Sequence, residues 1–141
     1  MSTLQLTVAI EAMERYNAIK MSWKREVDMW DLQLAFRRMT EMLNEAEAPT
    51  HVMIDITNNS VFPLLATIKE ALRGPLMHPR GGEWLILGTS DLARIFAKTL
   101  SDITDRTDVH WFADEAQAMD CLERLRAQAA PAAAVTESPE P

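Results

Sequence analysis

Residues 51–60 read HVMIDITNNS: His51, four apolar positions broken only by Asp55, then Thr57, Asn58, Asn59 and Ser60. A short run of this kind describes a strand that leaves a buried sheet and ends in a polar loop. Asp55 and Thr57 give this strand mixed outer positions, whereas residues 84–89 further on are nearly continuous in apolar character, as in a strand covered by helical crossovers. On the C-terminal side Pro63 suits the first turn of a helix with Leu65, Ile68 and Leu72 inward, and Gly74 followed by Pro75 stops it. Residues 75–83 form an irregular loop, and residues 84–89 (WLILGT) are a second apolar strand. Ser90 or Asp91 then caps a helix with Leu92, Ile95, Phe96, Thr99 and Ile103 inward. Residues 109–113 form the last strand. Asp114 with Gln117 three residues on is a capping-box variant opening a helix faced by Ala118, Met119, Leu122 and Leu125.

On the N-terminal side the periodicity changes twice. Leu32, Ala35, Phe36, Met39, Leu43 and Ala46 make one helical stripe with Asp28 as its N-cap, and Pro49 closes it. Before it, Leu4, Leu6, Val8 and Ile10 alternate with polar or small residues, as do Ile19, Met21 and Trp23, around a turn at residues 14–17. Two period-2 strands so closely joined pair as an antiparallel hairpin. The order β-β-α-β-α-β-α-β-α predicts an α/β domain with a mixed five-stranded sheet, the hairpin first and parallel strands added by helical crossovers. If the strands follow sequence order, right-handed crossovers put their helices on one side. Trp84 and Ile86 would then lie on a bare face, which self-association is expected to cover.

Composition bounds the function. The 141 residues are 48% hydrophobic and 25% charged, close to an ordinary globular domain. Four Gly, none in a Gly-rich loop, exclude a P-loop or dinucleotide fingerprint. One Cys, Cys121, and three dispersed His supply no metal-ligand spacing, so neither metal nor cofactor is expected. A net charge of −7 opposes phosphate backbones, which makes nucleic acid a poor partner. No apolar run is long enough for a membrane span and no basic leader opens the chain, so a cytoplasmic protein is expected. Residues 127–141 (AQAAPAAAVTESPEP) read as a disordered Ala/Pro/Glu-rich tail behind a folded domain of residues 1–126. The tail carries Glu137 and Glu140 and no basic residue, leaving −5 on the domain.

This order of elements, together with Asp55-Ile56-Thr57-Asn58 at the end of the strand, resembles a small bacterial STAS domain over residues 4–126. STAS domains include anti-sigma-factor antagonists and the tails of sulphate transporters, and their corresponding strand ends in Asp-Leu-Ser-Gly or Asp-Leu-Ser-Asn. The resemblance implies a signalling or interaction module. Antagonists of the family carry a phosphorylatable Ser in an Asp-Ser-Ser-Gly stretch that opens the next helix. Here that stretch is Val61-Phe62-Pro63-Leu64-Leu65, and Ser60 lies several residues too early to take the role.

Ligands of open α/β sheets gather at the carboxyl ends of the strands, beside helix N-termini. The candidate ligand- or partner-binding residues are therefore Asp55, Thr57, Asn58, Asn59, Ser60, Thr89 and Ser90. Each has a plainer explanation: Ser90 and Asp114 as caps, the Asn pair as a turn, and Asp55 tied to Lys20, to Lys24 or to the following turn. Met29, Trp30, Leu34 and Met42 lie off the stripe of the first helix and form a candidate apolar contact surface. The reading is a non-catalytic domain binding a protein partner, its own copy or a small ligand. The rivals are a small hydrolase or transferase using Asp55 with Ser60 or Ser90, which lacks a His within reach, and a lipid-surface module, which the acidic charge opposes.

Overall fold

The computed structural model describes residues 7–58 and 62–137, with the side chains of the last helix described through residue 129. The elements follow the order β1 (Val8–Met13), β2 (Ala18–Trp23), α1 (Met29–Glu45), β3 (Thr50–Asp55), α2 (Leu64–Arg73), β4 (Gly81–Leu87), α3 (Asp91–Thr104), β5 (Val109–Phe112) and α4 (Glu115–Glu137). The five strands lie side by side in sequence order. β1 is antiparallel to β2, and every later neighbour is parallel. This is the mixed α/β sheet that the sequence predicts, with a topology compatible with STAS domains. Leu4 and Leu6, assigned to the first strand from their alternation, lie outside the described residues.

The hairpin turns on a 3-10 segment, Glu14–Tyr16, and on Asn17, whose φ of 56° is left-handed. Asn tolerates that region better than most residues because its short side chain bonds locally. Here Asn17 Nδ2 donates to the Pro49 carbonyl (2.8 Å), and the Asn17 carbonyl accepts the His51 N–H (2.9 Å), which sets β3 beside β2.

Helices α1, α2 and α3 cover one face of the sheet. Trp23, Phe36, Met39, Val52, Ile54, Trp84, Ile86 and Phe96 are buried in that layer. Trp84 and Ile86 therefore do not lie on a bare face, contrary to the sequence-based expectation. Their strand is apolar on both sides, so its composition does not say which alternate set points to the crossovers. Leu85 and Leu87 face the other way with Ala18 and Met53, and α4 covers them through Ala118, Cys121 and Leu122. The last helix folds across the face that the crossovers leave open. The burial argument for self-association is thereby removed.

Two helices bury only part of the stripe expected of them: Ile68 and Leu72 of α2 and Leu92 and Phe96 of α3 face the core, while Leu65, Ile95 and Ile103 do not. Leu65 is 76% exposed, Ile95 46% and Ile103 54%, whereas Thr67, Ile68 and Ala71 of α2 and Ala93, Phe96, Ala97 and Leu100 of α3 are buried. Small residues on the inner faces let both helices approach the sheet closely, and the large side chains three or four positions away are turned out. The buried Thr67 hydroxyl donates to the Pro63 carbonyl (2.7 Å), so no polar group is stranded there.

β4 begins at Gly81, three residues before the expected start, and residues 75–77 form a 3-10 turn within the segment read as irregular. Arg106 organises this region. Its guanidinium donates to the Gly82 carbonyl (2.8 Å), to the Leu76 carbonyl, and through two bonds to Asp108 (2.7 and 2.9 Å), whose carboxyl it holds below the ordinary range. α4 continues past residue 126, where composition places the domain boundary, to Glu137.

One contact of the sheet makes stability depend on pH. His51 Nδ1 accepts the Glu83 N–H at 3.0 Å, and burial pushes its imidazole below the ordinary value of 6.5. Protonation removes the acceptor and places charge in a partly dehydrated site. As pH falls below 6.5 the unfolded chain binds the proton first, so stability that is complete above 6.5 declines toward the lower folded-state value. His51→Asn keeps an acceptor and removes the titration. The urea midpoint of this variant is expected to vary less with pH below 6.5 than that of the parent; an unchanged profile would assign the dependence elsewhere.

Candidate functional site

All three crossover helices start at the carboxyl edge of the sheet, and their first turns together with the strand ends form one rim. Asp28 caps α1, its Oδ1 accepting the N–H groups of Trp30 (2.7 Å) and Asp31 (3.3 Å). Ser90 caps α3, its Oγ accepting the Ala93 N–H at 3.1 Å. Of the two cap candidates for this helix, the structure thus selects Ser90. Asp114 caps α4 through the Gln117 N–H at 2.9 Å.

Asp55, the last residue of β3, is tied down on both sides. Its Oδ1 accepts the Thr57 N–H (3.0 Å) and hydroxyl (2.6 Å), closing the turn after the strand. Its other oxygen lies 3.8 Å from Lys20 Nζ, which also lies 3.5 Å from Glu115 in the first turn of α4. Lys20 and Asp55 are both largely buried, so the charge inside this strand is compensated by a neighbouring strand and by its own turn, as the plainer explanation requires.

The structure brings Asp55, Thr57, Asn58, Thr89 and Ser90 to the same edge, with Thr57, Asn58 and Thr89 exposed. Asn59 and Ser60 lie outside the described residues. No His shares this rim among the described residues. His51 is the second residue of β3, His78 bonds Asn44 (2.7 Å), and His110 bonds Glu83 (2.6 Å) on the face beneath α4. β4 separates β3 from β5, so the strand ahead of Ser60 is not a neighbour of the strand bearing His110. Among the described residues, no group of three or more His, Cys, Asp or Glu is placed to hold a metal.

The rim also carries apolar side chains. Trp30, in the second position of α1, is 66% exposed, and Leu34, one turn on, is exposed as well. Leu65 holds the matching position in α2, and Ile95 follows in the second turn of α3. Trp30 and Leu34 are legible in the sequence because they fall off the helical stripe; Met29 and Met42, read with them, pack against the core instead. Leu65 and Ile95 are missed by a reading that turns the largest apolar residue inward. The signal for them is the small-residue set Thr67, Ala71, Ala93 and Ala97, which defines a competing stripe.

The fold and rim define an α/β domain with a mixed five-stranded sheet and a mixed apolar and polar carboxyl edge. No family model matches the sequence, and no curated protein matches it either. Among the described residues, no helix is long and apolar enough to cross a membrane.

Proposed function

We propose that this chain is a non-catalytic, STAS-like interaction domain that engages a protein partner through the rim formed by the opening turns of α1, α2 and α3. The observation that carries the reading is the exposure of Trp30 and Leu65 at the same edge as the exposed polar residues Thr57, Asn58 and Thr89. Exposed aromatic and aliphatic anchors surrounded by polar groups have the composition of a protein contact surface. The polar groups best placed for chemistry are already engaged: Ser90 Oγ accepts a helix N–H, and Asp55 accepts from Thr57 and faces Lys20. An activated nucleophile needs a base in hydrogen-bond reach, and the contact that Ser90 makes supplies none, while the Asp55 carboxylate is taken up by its own turn and by Lys20. In the STAS resemblance the rim takes the place of a lost phosphoserine switch, so recognition here does not depend on modification of Ser60.

The test is the double substitution Trp30→Ser with Leu65→Ser, assayed by co-purification from source cells at matched expression. Both side chains are exposed, so stability is expected to change by less than about 0.5 kcal/mol per site. Partner recovery is expected to fall about tenfold or more, as for loss of anchor residues at an interface. Undiminished recovery by a folded double variant would overturn the reading.

A further inference from the structure

The sheet ends at β5, and the far side of that strand is bare. The Trp84 N–H donates to the Asp108 carbonyl (2.9 Å) and the Gly88 N–H to the Phe112 carbonyl (3.1 Å), so the even-numbered residues of β5 bond to β4. The N–H and C=O groups of Val109 and Trp111 therefore point away from the sheet, and no described residue bonds them. α4 does not shield them. It crosses toward the hairpin, where Glu123 accepts the Tyr16 hydroxyl (2.7 Å) and faces Arg15 (3.8 Å). Edge strands are commonly blunted by lysine, proline or a bulge. β5 reads Val109-His110-Trp111-Phe112 in unbroken register and has none of these.

Two features of this edge select a second copy of the chain. The first is the strand itself, whose outward positions are Val109 and Trp111 in one direction and Trp111 and Val109 in the other. A two-fold axis between two His110 residues therefore sets Val109 against Trp111 twice. Each such pair exchanges both of its backbone bonds and places a β-branched residue beside an aromatic one. The two His110 side chains meet on the α4 face, each already bonded to Glu83 of its own copy (2.6 Å).

The second feature is α3, which borders an open groove of about 270 Å³ above Val109 and Trp111. Because α3 packs on both β4 and β5, the same axis lays two α3 helices side by side and antiparallel. With each helix over the gap between its strands, their axes are two strand spacings apart, about 10 Å, a packing distance for helices. Along the groove the charges of α3 change sign, from Arg94 and Lys98 to Asp102. An antiparallel copy brings Arg94, now bonded to Asp91 (3.1 Å), toward Asp102 of its neighbour, while Lys98 keeps Asp102 of its own helix (3.0 Å). Exposed pairs of this kind add little affinity but fix orientation. The small residues Ala97 and Ser101 leave room for the approach. An isolated peptide strand would meet the backbone groups and leave the α3 charges unmatched.

We propose that the chain forms a two-fold dimer through β5, which joins two sheets into one continuous sheet and packs α3 on α3 of the second copy. The dimer is closed, since the axis consumes both edges. It thus differs from association of a chain that lacks α4, which exposes a face of the sheet rather than an edge. It is also independent of the rim reading, because Trp30 and Leu65 lie on α1 and α2, which take no part.

The test is sedimentation velocity of the full chain from about 5 μM to about 1 mM, which covers micromolar to millimolar dissociation constants. Amide hydrogen exchange is measured at both ends of that range. The chain is expected to pass from one copy to two and no further, and the Val109 and Trp111 amides to exchange about tenfold more slowly, or slower still, in the dimer. Trp111→Pro removes an outward N–H, leaves the bonds to β4 in place and is expected to abolish the dimer. Arg94→Glu is expected to weaken it about three- to tenfold, and Arg94→Glu with Asp102→Arg to restore it. The double variant Trp30→Ser with Leu65→Ser is expected to dimerise as the parent does. A chain that stays monomeric to about 1 mM would overturn the proposal. So would a dimer in which both edge amides exchange as fast as in the monomer, or one that a folded Trp111→Pro variant forms unchanged. Should that variant fail to fold, the exchange rates of the native chain decide.

Discussion

Replacing Trp84 by alanine is expected to lower the unfolding free energy by about 3–5 kcal/mol, the range for truncating a fully buried aromatic side chain. Trp84 has no exposure, sits in β4 between its register partners Val52 and Val109, and belongs to the layer beneath the crossover helices. The sheet holds the backbone on both sides, so the site cannot collapse around the missing ring. A domain of this size has about 5–15 kcal/mol to lose, and the urea midpoint is therefore expected to fall steeply. Trp84→Phe is expected to be milder. The Trp84 indole N–H is buried without an acceptor among the described residues, and phenylalanine removes that unsatisfied donor while leaving a smaller void. A loss below about 1 kcal/mol for Trp84→Ala would contradict the placement of this side chain at the centre of the core.

Ending the chain after Ala113 is expected to convert it into a self-associating species. Among the described residues α4 is the helix that covers the second face of the sheet, and without it Ala18, Met53, Leu85 and Leu87 gain exposure together with Phe112. An apolar surface of that kind draws copies together. Light scattering is expected to show a mass that rises with concentration, with binding of a hydrophobic dye. Ending the chain after Arg126 instead retains Ala118, Cys121, Leu122 and Leu125, the residues that make the contact, and is expected to leave the mass unchanged. Leu122→Asp in the full chain is expected to reproduce the first behaviour, because it places a charge on the buried side of the same helix. A monodisperse, dye-silent 1–113 chain would contradict the assignment of α4 as the cover.

These two results concern the part of the fold that was hardest to read. Element order, the antiparallel hairpin and the parallel run are legible because periodicity, caps and Gly-Pro stops agree with one another. Asp28, Ser90 and Asp114 mark helix starts through a local hydrogen bond that depends on nearby residues alone. Which face of β4 meets which helices is not local. Residues 84–87 are apolar throughout, and only the return of α4 across the sheet assigns Leu85 and Leu87 to it. The orientations of α2 and α3 are legible only in part for a related reason: Ile68, Leu72, Leu92 and Phe96 face the core as expected, but alanines at Ala71, Ala93 and Ala97 complete the inner face while Leu65 and Ile95 dominate a hydrophobicity count.

The site follows the same division. Its polar members and the tie between Asp55 and Lys20 are open to sequence reading, because a charge within an apolar strand demands a partner. Its apolar members depend on helix rotation, so half of them are hidden.

The central claim, that the carboxyl rim is the contact surface, is tested most directly by photo-cross-linking in source cells. A photoreactive residue is placed in turn at Trp30, Leu65 and Thr89 on the rim, and at Glu47 and Arg124 away from it. The account predicts that the three rim positions capture one and the same protein and that the two distant positions do not. Capture of a common protein from Glu47 or Arg124, with none from Trp30 and Leu65, would contradict it.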